Sequence, residues 1–261
     1  MSAADAIPQP VRELAEAPGR YTRLTPGHVD RVETDRFVVV RGGWWASVDG
    51  VRAVPDEVEE IVCAVRELTV DRAAMWRIGP STTPSDFEER LRALGLRTPA
   101  NGVEELGALA TVTAPDAPRT EVRRVETLDD YCTAVELRWD AFGKPEEQRA
   151  AERASLAETF EALQGSGAIV DFLAYAEGRP AATAASVVTE RGLLLVGGAT
   201  AAWARARGLY RALVRARWDE AVRLGTPALV VQANPSTSAP ILGRLGFVEV
   251  CRLRQLEDGP S

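Results

Sequence analysis

The chain has 261 residues, of which 46% are hydrophobic and 26% are charged, and its formal net charge at pH 7 is −7. This length can bury a substantial core and predicts two domains, or one large one. No apolar run approaches the roughly 20 residues that span a bilayer. The negative charge disfavours a broad nucleic-acid-binding surface. The three widely spaced cysteines predict neither a disulfide framework nor a metal cluster, and they fit a reducing cytoplasm.

Residues 1–112 predict a small α/β domain. Its opening segment, MSAADAIPQPVRELAEAPGR, lacks the basic and then apolar pattern of a signal peptide and is predicted to be a loosely ordered leader. Periodicity then predicts the strands RFVVVRG and WWASVDG, the helix DEVEEIVCAVREL, the strand AAMWRIG and the helix SDFEERLRALG. Trp44 and Trp45 are predicted to lie in the core, although an exposed pair would mark an interaction or dimerisation surface. His28, the only histidine, is predicted to be structural.

The stretch ATVTAPDAPRT, residues 110–120, is predicted to be a linker because its prolines interrupt any helical or strand period. Residues 118–261 then form a second predicted domain. Helices are predicted at 127–142, at 145–165, within 204–225 and at APILGRLG. Strands are predicted at EVRRVET, IVDFLAYAEG, RPAATAASVVTER, GLLLVGGAT, PALVVQAN and FVEVCRLRQL, with a hairpin turn at Glu177-Gly178. This order predicts the α/β class, with a mixed sheet of the α+β kind.

The two parts share a short pattern that indicates an internal repeat. Residues 73–96 and 227–247 both run from a strand through Pro-Ser-Thr into a helix that ends in Leu-Gly. We therefore expect the N-terminal part to be a degenerate half-copy of the C-terminal fold, with chance as the rival explanation. The corresponding turn of the first part, DGVRAVPDEVEE, is acidic and would repel a phosphate. Only the C-terminal half is therefore expected to bind an anionic cofactor.

The segment ARARGLYRALVRARWDEAVRLG, residues 204–225, carries the clearest chemical signal. Its opening turn, from Arg205 to Tyr210, places backbone N–H groups and two guanidinium groups at a helix N-terminus, where the helix dipole favours an anion. Arginines further along the segment fit a solvated helix face, whereas Arg205 and Arg207 precede the helix and are not explained that way. The turn is therefore predicted to bind a phosphate group.

The stretch GGATAAWARARGLYRALV resembles the cofactor-binding motif Q/R-x-x-G-x-G/A of the GNAT superfamily of acetyl-CoA-dependent N-acyltransferases. Arg205 takes the first position, Gly208 the central glycine and Tyr210 the last. The likeness covers residues 120–255 and includes Asn234 after the next strand and the closing Leu245-Gly246-Phe247. It implies a GNAT-like acyl-CoA N-acyltransferase fold preceded by a smaller α/β domain, with acetyl-CoA as cosubstrate.

The resemblance also implies how the cofactor is held. Backbone amides of the turn would hold the pyrophosphate, and the strand Val196–Thr200 would pair with the pantetheine arm. The implied cofactor-binding residues are Gly198, Ala199, Thr200, Arg205, Ala206, Arg207, Gly208, Leu209, Tyr210 and Asn234. Gly197 and Gly198 fit close approach of a ligand or, alternatively, a β-bulge. Asn234 fits a contact to pantetheine or, equally, a cap on the following helix.

Two positions depart from the family pattern. Tyr210 stands where GNAT members have a small residue, and Leu242 stands where many have a tyrosine that protonates the leaving thiolate. Tyr210 is the phenol nearest in sequence to the turn, but its place in an apolar helix stripe predicts a packing role. The thiolate would therefore take its proton from water or from another group of the protein. The remaining alternative is that the activity is lost.

An amine acceptor must lose a proton, so a carboxylate or an ordered water chain is expected near it. Four carboxylates are candidates for this base: Glu136, Asp140, Asp171 and Glu190. Each of them is more typical of a solvated surface charge. The catalytic candidates, all weak, are Tyr210, Glu136 and Asp140. Cys132 and Cys251 are predicted to be core residues.

These observations predict an N-acetyltransferase that transfers the acetyl group of acetyl-CoA by direct attack of a primary amine. The acceptor is expected to be a small molecule or a peptide amine, such as a protein N-terminus or a lysine. The alternative is a catalytically silent CoA-binding or regulatory module, which Leu242 and the lack of an obvious base would favour. No nucleic acid or membrane partner is expected, and the protein is expected to be a cytoplasmic monomer or homodimer.

Overall fold

A computed structural model describes residues 3–118 and 120–259 of the chain. Its helices are α1 (Gln9–Glu16), α2 (Val58–Leu68), α3 (Phe87–Ala93), α4 (Leu128–Phe142), α5 (Glu146–Arg153), α6 (Leu156–Ser166), α7 (Leu209–Arg223) and α8 (Ser238–Gly243). Its strands are β1 (Asp30–Glu33), β2 (Val38–Arg41), β3 (Trp45–Asp49), β4 (Ala73–Ile78), β5 (Glu105–Thr111), β6 (Val122–Arg124), β7 (Ile169–Ala176), β8 (Arg179–Thr189), β9 (Gly192–Thr200), β10 (Leu229–Ala233) and β11 (Val248–Asp258). The architecture is mixed α/β, as the order of predicted elements implies.

The chain forms two compact units, and their division differs from the predicted one. The first unit comprises residues up to 110 together with those from 232 onward, and the second comprises 111–231. The C-terminal strand β11 explains the difference, because it pairs in antiparallel fashion with β4 on one side and with β5 on the other. Residues 118–261 therefore do not form a single compact unit.

The sheet of the first unit has the order β1-β2-β3-β4-β11-β5. Strands β3 and β4 are parallel, and α2 connects them in a β-α-β unit. Val58, Ile61, Val62 and Val65 recur at helical spacing along α2 and are buried in the core of this unit, together with Trp76. The acidic first turn of α2 stays outside this apolar face.

The sheet of the second unit has the order β6-β7-β8-β9-β10. Strands β7 and β8 form the predicted hairpin, whose turn residues Glu177 and Gly178 both have positive φ, as a tight hairpin turn requires. Strands β9 and β10 are parallel, and α7 connects them. Helix α4 begins at the cap Thr127, whose hydroxyl accepts a hydrogen bond from Asp130 N, and ends at Gly143 in the left-handed region.

Three expectations from the sequence are wrong. The leader is ordered in part, because α1 buries Val11, Leu14 and Ala15 at helical spacing. The predicted helix 145–165 is two helices, α5 and α6. Trp44 is 69% exposed rather than buried. Among the described residues, none of the helices is long and apolar enough to cross a membrane.

Candidate functional site

Strand β9 has one edge that its neighbour leaves open. On one side it pairs with β8 as far as Thr200, whereas on the other it pairs with β10 only at Leu193 and Leu194. Within the described part of the second unit, the backbone groups of residues 196–200 therefore lack a strand partner on that side. An unpaired strand edge is a template on which an extended ligand can form main-chain hydrogen bonds.

The open edge contains a β-bulge at Gly197 and Gly198. The pairing of β9 with β8 shifts there, so that these two residues face the single residue Ala184, and Gly197 has a φ of 58°. A methyl group on Gly197 would lie 3.2 Å from Arg138 Cδ, and one on Gly198 would lie 3.0 Å from Tyr210 Cε2. The structure thus contains the β-bulge that the sequence offered as an alternative to close approach of a ligand. Because the two glycines have no side chains, they also leave room for the side chains of Arg138 and Tyr210.

The turn after β9 forms an anion-binding geometry at the start of α7. Ala206 and Gly208 have φ of 63° and 79°, and α7 begins at Leu209. No side chain among the described residues caps the first turn of α7. The N–H groups of that turn are therefore available to an anion, and the positive end of the helix dipole lies at the same place.

The two arginines of the turn differ in their contacts. Arg205 is exposed, and its side chain makes no hydrogen bond or ion pair with any other described residue. Arg207 donates from Nη1 to Glu177 Oε1, and its guanidinium lies 5.8 Å from the centre of the Trp203 ring. Arg179 lies closer to that ring, at 3.8 Å. Of the two cations that the sequence places at the turn, only Arg205 is uncommitted.

The segment before β6 runs past the turn. Pro118 lies against Gly208, since a methyl group on Gly208 would be 2.9 Å from Pro118 Cγ. Arg211, in the first turn of α7, donates from Nη2 to the Asp116 carboxylate at 3.2 Å. The predicted linker thus brings one negative charge to the same end of α7 that would attract an anion.

Solved structures share the fold of this chain. A GCN5-related N-acetyltransferase from Kribbella flavida superposes with a TM-score of 0.65 at 17% identity and 95% coverage of each chain. A tandem GNAT protein from the clavulanic acid biosynthesis pathway does so with a TM-score of 0.59 at 16% identity, covering 97% of this chain and 89% of that one. For a GCN5-related N-acetyltransferase-like protein from Streptococcus suis the TM-score is 0.55 at 12% identity, with 98% and 95% coverage. The chain has the GNAT fold.

No family model and no curated protein matches the sequence. The comparison with a tandem protein agrees with the repeat that the sequence predicts, since the chain consists of two GNAT-like halves. In the first half β3, α2 and β4 form the parallel β-α-β unit, and in the second half β9, α7 and β10 form it.

In the first GNAT-like half, the chain's own N-terminal segment occupies the ends of the two parallel strands. Gly19 N donates to Asp49 Oδ2 at the end of β3, and Glu16 accepts from Ser81 N just after β4. Burial raises the pKa of Asp49 to about 6. Acidic groups thus lie at the strand ends of the first half, for which the sequence predicts no anionic cofactor.

In the second half, Tyr210 packs on the bulge and on a buried arginine. Its ring contacts Gly198 and lies 5.9 Å from the guanidinium of Arg217. Arg217 is 1% exposed and donates to the backbone oxygens of Leu213 and Ala185, and burial lowers its pKa. Tyr210 is therefore held in place by packing, as expected, with its phenol ring beside the bulge of β9.

The candidate bases on α4 are engaged in surface ion pairs. Glu136 accepts from Arg153 Nε at 2.9 Å, and Asp140 accepts from Arg149 Nη1 at 2.6 Å. Both arginines belong to α5. The two carboxylates thus join α4 to α5, and neither contacts the bulge. Glu190 is exposed in the turn between β8 and β9.

Asp171 is the exception among the four carboxylates, and the expectation of a solvated charge is wrong for it. It is 7% exposed on β7 and pairs with Arg138 Nη1 of α4. Tyr131 lies near this pair, and burial, together with the charge of Asp171, raises the pKa of Tyr131 to about 12. Sequence reasoning missed Arg138, because only the packing of α4 on the sheet brings these residues together.

Asn234 and Leu242 have local, structural surroundings. The Asn234 side-chain oxygen accepts from Ser236 N at 2.8 Å, and its backbone oxygen accepts from Thr237 N and Ala239 N. These bonds form an Asx turn ahead of α8, whose N-cap is Thr237 and which has no side-chain cap hydrogen bond, so Asn234 is not the cap that the sequence offered as one of two alternatives. Leu242 is fully buried and has no proton to donate. Cys132 and Cys251 are free thiols that are partly buried, and burial raises the pKa of Cys251 to about 12.

Proposed function

We propose that the second GNAT-like half binds acetyl-CoA and transfers its acetyl group to a primary amine of a small molecule or peptide. One observation carries the proposal: the open edge of β9 is followed, after one turn of 3-10 helix at Ala202–Ala204, by the turn at the N-terminus of α7. A ligand with an extended, amide-containing arm and an anionic end fits that combination, and CoA is such a ligand.

The residues present fit the groups of CoA one by one. Backbone N–H and C=O groups from Val196 to Thr200 would pair with the amides of the arm, as a further strand does. The N–H groups of the turn and the free guanidinium of Arg205 would hold the pyrophosphate. Bound there, acetyl-CoA would supply an activated acyl group, and the protein would supply position and charge.

Proton removal from the acceptor falls to water in this proposal. Glu136 and Asp140 are tied to arginines of α5, and Asp171 is buried with Arg138. None of them is a free carboxylate at the bulge. An acceptor whose amine is already partly neutral at working pH would react fastest, so the rate should rise with pH until the amine is deprotonated.

Two measurements test the proposal. Isothermal titration calorimetry measures binding of CoA and acetyl-CoA, and release of free thiol from acetyl-CoA is followed with a panel of amines and peptides. Arg205→Glu is expected to weaken CoA binding at least tenfold, because it replaces an attraction to pyrophosphate with a repulsion. Arg215→Glu, on the solvated face of α7 where Arg215 pairs with Asp219, is the matched control and should bind normally.

A silent CoA-binding module is the second candidate function, and the burial of Leu242 favours it. CoA binding with no thiol release on any amine would support this candidate over the transferase. Absence of CoA binding to the wild-type protein would contradict both.

A further inference from the structure

Arg138 of α4 lies against the bulge of β9. Its Cδ lies 3.2 Å, and its Nη1 3.9 Å, from the position that a methyl group on Gly197 would take. The guanidinium therefore lies beside the bulge, where it is paired with Asp171 of β7. A ligand group that lies at the bulge beside Gly197 would be near this guanidinium.

Asp171 fixes the direction of that charge. The ion pair uses Nη1 of Arg138, and the remaining guanidinium N–H groups donate to no other described residue. Both side chains are largely shielded from water, with exposed fractions of 17% and 7%. Solvent screens this pair little; the Asp171 carboxylate offsets part of the Arg138 charge, and the guanidinium N–H groups that Asp171 leaves unused can still donate hydrogen bonds to a ligand.

We propose that Arg138 stabilises the CoA thiolate as it leaves the acyl group, and that Asp171 is its positioning residue. This inference rests on the proposed function. In the reaction a C–N bond forms between the acceptor nitrogen and the acyl carbon, and the C–S bond breaks with its electron pair left on sulfur. The ammonium proton goes to water, and the thiolate later takes a proton from water.

A cation would compensate for a missing proton donor. The resemblance implies a tyrosine at the position of Leu242, and Leu242 cannot protonate a thiolate. An arginine stays charged at every working pH, so it stabilises the thiolate by charge and hydrogen bonding and gives up no proton. The other charged or titratable groups around the bulge are Tyr131 on α4, Asp171 on β7, and Tyr210 and Arg217 on α7.

The test uses CoA itself and requires no acceptor. Calorimetry from pH 6.5 to 9.5 compares binding of CoA with binding of desulfo-CoA, in which hydrogen replaces the thiol group. If Arg138 stabilises the thiolate, the ratio of the CoA affinity to the desulfo-CoA affinity of the wild-type protein should rise with pH. The total rise in this ratio is about tenfold for each unit by which binding lowers the pKa of the CoA thiol. We expect a preference of at least tenfold at high pH.

Variants identify the residue responsible. Arg138→Gln should abolish the pH-dependent preference while desulfo-CoA binds as before. Because Arg138→Gln leaves Asp171 buried without a partner, the double variant Arg138→Gln/Asp171→Asn, which removes both charges, should give the same result in a more stable protein. Asp171→Asn alone should reduce the preference, since the guanidinium loses its anchor. Arg123→Gln, in an exposed pair with Glu121 on β6, is the control and should keep the preference.

Failure of this inference is distinguishable from failure of the proposed function. If neither CoA nor desulfo-CoA binds to the wild-type protein, the proposed function fails. If both bind and the wild-type protein shows no pH-dependent preference, or if the two variants lacking Arg138 retain it, Arg138 does not act on the thiolate and the cofactor site stands.

Discussion

Gly208 carries two separate constraints at the start of α7. Its φ of 79° lies in the left-handed region, which costs an L-residue about 1–2 kcal/mol. Pro118 lies so close that a methyl group on Gly208 would be 2.9 Å from Pro118 Cγ. Backbone conformation and packing therefore both require glycine here, and the turn that would hold an anion depends on this residue.

Gly208→Ala is expected to lower the free energy of unfolding by about 2–3 kcal/mol, because it adds displacement of Pro118 to left-handed strain. Gly143→Ala is the matched control, since Gly143 has a φ of 66° and nothing within 4 Å of the added methyl group. It should cost about 1 kcal/mol, part of the strain being offset by a less flexible unfolded chain. Urea denaturation measures both values. Equal costs would show that Pro118 does not constrain the turn.

At this scale the sequence predicts what is local. The spacing of Arg205 and Gly208 predicts the turn at the start of α7, and the apolar stripe of that helix predicts that Tyr210 packs. The pair of Arg138 and Asp171 could not be predicted, because 33 residues separate them and only the packing of α4 on β7 brings them together. The ion pair between Arg207 and Glu177 could not be predicted either, because Glu177 lies in a hairpin turn that is distant in sequence.

At the scale of elements, strongly periodic segments were predictable and weakly periodic ones were not. The central helices and strands agree with their hydrophobic patterns. Strand β5 was missed because its sequence, ELGALAT, is rich in small residues and lacks alternation. Helix α1 was missed because its apolar stripe of Val11, Leu14 and Ala15 is short. The unit boundary was misplaced because the pairing of β11 with β4 and β5 is a long-range property.

The segment that runs past α7 offers a prediction of its own. Asp116 is 98% exposed and pairs with Arg211 in the first turn of the helix. A negative charge about 10 Å from a bound pyrophosphate costs about 0.4 kcal/mol in water. Asp116→Asn should therefore tighten CoA binding about twofold at low ionic strength, and the gain should vanish at 0.5 M salt.

Calorimetry at two salt concentrations measures this effect. Asp219→Asn is the control, because Asp219 pairs with Arg215 one to two turns further along α7. If Asp116→Asn leaves the affinity at low salt unchanged, or if Asp219→Asn tightens binding equally, the segment before β6 has no electrostatic influence on the turn.

At the scale of the whole molecule, the first unit contains a buried carboxylate that should make stability depend on pH. Asp49 is 1% exposed, and it accepts a hydrogen bond from Gly19 N while its other oxygen has no partner among the described residues. Burial raises its pKa from 3.8 to about 6, although the charge of Arg77 and the bond from Gly19 act in the opposite direction. Arg77 is itself anchored to Ser47 Oγ.

Because the pKa of Asp49 is higher in the folded than in the unfolded protein, the folded protein holds more protons between pH 4 and 6. The free energy of unfolding should therefore fall as pH rises through this window, by about 3 kcal/mol at most for a shift of about two units. Asp49→Asn removes the titrating group. The difference in the free energy of unfolding, variant minus wild type, should therefore rise by about 3 kcal/mol at most between pH 4 and 7. The substitution can also change the free energy of unfolding by an amount that does not depend on pH, and this does not affect the rise.

Urea denaturation at a series of pH values gives the relative stability directly. If the two units unfold in separate transitions, the pH dependence belongs to the transition of the first unit, where Asp49 lies. Asp56→Asn, an exposed carboxylate in the turn before α2, is the control and should track wild type at every pH. A relative stability of Asp49→Asn that stays constant from pH 4 to 7 would mean that Asp49 ionises in the folded protein as it does in the unfolded chain. The first half would then hold its N-terminal segment against β3 without any cost from a buried charge.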